Sequence, residues 1–136
     1  MRQLLILTLL CLSSGCGPGP ILEKVNSDLA EMVNVFKQRY GVYDLAMKID
    51  FAKQSGSVVG LCMVTGNERE IQIDPWFWSW AGQYGQEQLM FHELGHCWFG
   101  LGHNSNEIDY SGLNIPQSIM HPYVFGYMSY YEPNRD

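Results

Sequence analysis

The chain has 136 residues, room for a single domain. Eight basic residues stand against 14 acidic ones, a net charge of −6 with His neutral, which excludes the clustered basic surface that nucleic acid requires. Apolar residues at 46% with only 16% charged mark a folded chain, and no apolar run reaches the ~18 residues of a membrane-spanning helix.

Met1-Arg2 gives a short positive start, and Leu4 to Leu12 is an apolar stretch of signal-peptide length. Ser13-Ser14-Gly15-Cys16 follows and resembles a bacterial lipobox, although Ser13 stands where an aliphatic residue is usual. The resemblance implies a signal over residues 1–15 and lipidation of Cys16, which becomes the first residue and the membrane anchor. An ordinary cleaved signal that happens to contain a cysteine is the competing reading. Residues 16–20 then form the lipidated Cys and a Gly/Pro spacer, and the domain is expected over 21–136. The implied location is the bacterial cell envelope, lipid-anchored at the outer membrane with a periplasmic or surface face.

Ile21, Leu22, Val25, Leu29, Met32, Val33, Phe36 and Tyr40 fall at helical spacing, which predicts an amphipathic helix ended by Gly41. Leu45, Met47, Ile49 and Phe51 alternate with Ala46, Lys48 and Asp50, as in a strand with one buried face. Val58 to Val64 reads as an inner strand, and Gly66-Asn67 as a turn. Residues 69–74 alternate and stop at Pro75, and their polar side chains predict an edge strand. A second helix is expected from Gln86 to about Phe99, and mostly loop beyond Gly100. The class is α+β: a helix packed on a short mixed sheet with an edge strand, an active-site helix, then a loop-rich lower part.

His92-Glu93-Leu94-Gly95-His96 lies in the second helix. Residues i and i+4 share a helix face, so both imidazoles can meet one ion, while Glu93 reaches a water on that ion without ligating it. Four His and eight Glu in 136 residues give H-E-x-x-H by chance only about 0.007 times per chain. A catalytic Zn²⁺ takes a third protein ligand. His103, arriving after Gly100 and Gly102, is the natural one, with Glu107, Asp109 and His121 as substitutes.

With Ser118-Ile119-Met120 downstream, these residues resemble the signature of the metzincin metallopeptidases. The resemblance implies a zincin-like fold and assigns Met120 to a tight turn that forms a hydrophobic floor under the zinc. It implies a zinc-dependent endopeptidase in which Glu93 is general base for attack of a zinc-bound water on a peptide carbonyl, with His92, His96 and His103 as ligands. The chain departs from the clan by one extra residue before the glycine that precedes the third His, which rotates the helix exit by ~100° and advances it ~1.5 Å. The longer spacing also resembles a smaller group of bacterial metallopeptidase-like lipoproteins. In that group an I-x-I-D-P strand and an aromatic pair precede H-E-L-G-H-C, and S-I-M-x-P follows. Here these are Ile71 to Pro75, Phe77-Trp78, His92 to Cys97, and Ser118 to Pro122, a match over roughly residues 69 to 125.

Some metzincins place an oxyanion-assisting tyrosine two residues after the methionine. That position is Pro122 here, and Tyr123, one further on, is either that group or a wall residue. The 69–74 strand is the expected partner for an extended substrate. Trp76, Phe77, Trp78 and Trp80 read as packing before a ligand platform. Cys62 and Cys97 are either a disulfide or two buried thiols. The expected partners are a peptide or protein substrate and, through Cys16, a membrane; a monomer is expected. The competing function is a catalytically inactive zinc-binding envelope lipoprotein used for binding or structure.

Overall fold

Three isoleucines from two strands organise the domain. In the computed structural model, which describes residues 22–123, Ile49, Ile71 and Ile73 are fully buried on one face of a four-stranded sheet. The strands are β1 (Lys24–Val25), β2 (Lys48–Phe51), β3 (Gly60–Thr65) and β4 (Glu68–Ile73), in the order β1-β2-β4-β3. β1 and β2 run parallel, as do β2 and β4, and β3 closes the sheet antiparallel to β4. Two helices, α1 (Ala30–Tyr40) and α3 (Gly82–Cys97), cover the buried face, supplying Met32, Val33, Phe36, Leu89, Met90 and Leu94 to one core. The class is α+β, as the periodicities predict. The signal, the spacer and the lipidation site Cys16 lie outside the described residues.

Two strand assignments exchange places. β4 is interior, flanked by β2 and β3, and β3 is the edge. The polar residues of β4 occupy its solvent face, where Lys48 Nζ meets Glu70 Oε1 at 2.9 Å and Gln72 Nε2 donates to the same oxygen at 3.3 Å. Alternating polarity therefore reports a one-sided sheet, not an unpaired edge. The first helix also begins later than its apolar spacing suggests. Residues 24–25 pair with β2 instead, and Asn26 opens a 3-10 turn over Ser27–Leu29, its side chain accepting from Asp28 N–H and donating to Asp50. Gly41, at φ 65°, ends α1 as read.

A short helix, α2 (Pro75–Trp80), stands between β4 and α3. Asp74-Pro75 builds its start: the Asp74 carboxylate accepts from Trp76 and Phe77 N–H at 2.9 and 3.1 Å, and Pro75 takes the first turn, where no N–H is needed. The expected loop beyond Gly100 contains a hairpin, β5 (Glu107–Tyr110) and β6 (Leu113–Pro116). Its two-residue turn, Ser111-Gly112, holds both φ angles positive, at 53° and 84°.

Candidate metal centre

The site is assembled from α3, the chain reversal that follows it and the turn at 118–121. On α3, His92 and His96 present Nε2 atoms 3.0 Å apart. Their other ring nitrogens are engaged: Nδ1 of His92 donates to Ile119 O at 2.8 Å, and Nδ1 of His96 donates to Leu101 O at 2.6 Å. A carbonyl only accepts, so both rings carry a proton on Nδ1, and in the neutral rings both Nε2 atoms are bare lone pairs. Two lone pairs facing each other at this distance repel unless a cation lies between them. Burial pushes the His92 imidazole below its ordinary value, and the nearby rings of His96, His103 and His121 push the same way, so the neutral form is favoured.

His103 completes the group. Its ring centroid lies 5.2 Å from that of His92 and 4.8 Å from that of His96. One nitrogen from each of the three rings falls within a 4.8 Å span. Three imidazole nitrogens this close together could hold one metal ion. The extra residue before Gly100 is absorbed at the helix end. Gly100 turns left-handed at φ 67°, and Leu101 N–H donates to Gly95 O at 3.0 Å, bringing the chain back across the helix end. The reversal that delivers His103 is the one whose Leu101 carbonyl orients His96. Of the substitutes, Glu107 lies 3.8 Å from His121, Asp109 accepts from Gly112 N–H, and neither joins the three-nitrogen group.

Glu93 is buried beside the triad. Burial pushes its carboxyl up to about 7, against a hydrogen bond from the backbone of Cys62. Oε2 has no partner among the described residues. An unpartnered buried carboxylate oxygen is expensive, and a water at the neighbouring centre is what would satisfy it. Gly60 of β3 lies against this carboxyl so closely that a methyl group there would overlap it. The edge strand therefore shapes the position of Glu93 twice, by the gap at Gly60 and by the N–H of Cys62. A disulfide joins Cys62 to Cys97, deciding between the two states left open for these residues and tying the edge strand to the helix that carries His92, Glu93 and His96.

The S-I-M segment forms a closed turn. Met120 N–H donates to Ser118 Oγ at 3.1 Å, and His121 N–H to Ser118 O at 3.0 Å. Met120 is buried with its sulfur against Gly95, where any side chain would meet it. The turn thus lies beneath α3 and also fixes the tautomer of His92 through the Ile119 carbonyl. Tyr123 is 74% exposed; its ring touches that of His121 and lines the same cleft as the triad, and its N–H donates to His121 Nδ1 at 3.3 Å.

Sequence reading misses four contributors: Gly60, Gly95 and the carbonyls of Ile119 and Leu101. A glycine inside an apolar strand run does signal a close approach by a neighbour, and Gly60 carried that signal. The carbonyls carry none, because any residue supplies one. Comparisons with models of known families, with curated proteins and with solved structures find no match.

Proposed function

We propose that the protein is a zinc-dependent endopeptidase held at the bacterial envelope. The observation that carries this is the pairing of two functions in one cleft. Three His nitrogens converge, those of His92 and His96 with Nδ1 already committed to carbonyls, and a buried carboxylate beside them keeps one oxygen unpartnered. His92, His96 and His103 would hold the ion, with two of the three rings oriented by carbonyls. When bound, zinc in such a site supplies Lewis acidity and lowers the pKa of a coordinated water toward ~7. Glu93 takes the proton of the attacking water and hands it to the leaving amine, a role its free oxygen fits. The exposed edge β3, in place of the 69–74 strand, is the backbone an extended peptide would pair with, since it borders the cleft along residues 60–62. Tyr123 at the cleft mouth serves the oxyanion or walls the substrate.

The H-E-x-x-H and S-I-M resemblance to metzincins supports the same reading, and the disulfide suits a compartment outside the reducing cytoplasm. The lipid anchor at Cys16 rests on the lipobox alone. Glu93→Gln is the test: it should retain metal and fold while hydrolysis of a peptide library falls by about 10²–10⁴-fold. Undiminished cleavage by that variant would remove the mechanism. Metal binding without any cleavage by the parent protein would favour an inactive zinc-binding lipoprotein.

A further inference from the structure

We infer that Trp76, Phe77 and Trp80 form a subsite for a bulky apolar side chain of a peptide whose scissile bond is placed at the His triad. The inference rests on the peptidase reading and names its substrate class. The three rings share with the triad a cleft of about 800 Å³, which Val58, on the approach to the edge strand, also lines. α2 turns Phe77 and Trp78 inward but leaves Trp76 71% and Trp80 59% exposed. Large rings are left in water at a cost of apolar burial, so a pair of them at the mouth of a cleft is a surface awaiting an apolar group. The rings are ordered beforehand. Trp80 packs on Trp76 at 5.4 Å and on Phe77 at 5.1 Å between centroids. Beneath them, Asp74 caps the helix, Ser79 Oγ donates to Trp76 O at 2.7 Å, and Gln86 Nε2 donates to Trp78 O at 2.9 Å. Little further ordering is needed when a side chain binds.

Charge excludes the alternatives. No Lys, Arg or Asp lines this cleft among the described residues, and Glu93 is its one carboxylate. A charged substrate side chain against the tryptophans would be desolvated with no partner.

The test measures binding apart from cleavage. Blocked hexapeptides that differ at one position (Phe, Leu, Glu or Lys) are titrated calorimetrically into the full chain carrying Glu93→Gln, so that nothing is consumed. Phe and Leu peptides should bind about ten-fold more tightly than Glu or Lys peptides, and Trp76→Ala/Trp80→Ala should abolish the difference. Val58→Lys, an exposed change that leaves the core intact, should shift preference toward the Glu peptide. Equal affinities throughout, or a preference untouched by both variants, overturn the subsite. So does loss of binding to lipid vesicles in the tryptophan variant with peptide preference intact, which would assign the pair to a bilayer surface. Apolar-selective binding with no cleavage by the parent protein sinks the peptidase reading and leaves the subsite standing; cleavage without apolar preference does the reverse.

Discussion

At His92 and His96 the decisive atoms are the nitrogens that face away from the site. With Nδ1 of each ring committed to a carbonyl, protonation at Nε2 is the only way to relieve the facing lone pairs other than a cation. The same scale governs Glu93. Gly60→Ala places a methyl group where the carboxyl lies, so the carboxyl must move. On the hydrolytic reading this variant should bind zinc like the parent, with KM nearly unchanged, and lose about 100-fold in kcat, since displacing a reacting group by ~1 Å has that effect. Unchanged kcat would show that the close approach does not position Glu93. The ligand residues were legible because H-E-x-x-H is local: helix geometry alone sets i and i+4 on one face. The groups that orient them were not, because they are backbone carbonyls, which any residue supplies, and one is brought from 27 positions away at Ile119.

Among the elements, α2 most clearly owes its existence to one side chain. Asp74 accepts backbone N–H groups from Gln54, Phe77 and Trp76, which hold its carboxyl below the ordinary value of 3.8. A carboxyl depressed in the folded state stabilises it above the unfolded pKa, and that contribution disappears as pH falls through the folded one. Asp74→Asn keeps a capping oxygen but removes the charge, so its Tm should lie below the parent's at pH 6. The gap should close as pH drops below about 4, the unfolded value, and through the lower folded one. A gap that stays constant with pH would mean the charge is not what the cap uses. A second element-scale outcome concerns β3. Removing its tie to α3 with Cys62→Ser/Cys97→Ser should lower stability by about 2–4 kcal/mol in urea unfolding, the usual worth of such a cross-link. A change under ~0.5 kcal/mol would show that packing alone holds the edge strand. Element type was readable wherever period and length agreed, as in α1, β2 and α3. Edge and interior were not, because hydrogen-bond partners across a sheet leave no mark on one strand's alternation. The hairpin of β5 and β6 escaped notice because its strands are short and largely exposed.

For the whole molecule, the sheet, α3 and the 118–121 turn converge on one cleft that holds His92, Glu93, His96, His103 and Tyr123, with Met120 packed against Gly95 of α3. The third ligand could not be secured from spacing, since one added helical residue redirects the exit, and only the folded reversal at Gly100 shows how His103 returns. The signal and Cys16 belong to a level that the described domain does not reach. The central claim is that three histidines hold one ion. Metal content of the purified full-length chain, beside His103→Ala, tests it most directly. One zinc per chain is expected for the parent, with affinity weaker by about 100-fold or more in the variant, both keeping the same circular dichroism. Folded parent protein that takes up no zinc, or a variant that holds it equally well, would contradict the three-histidine centre.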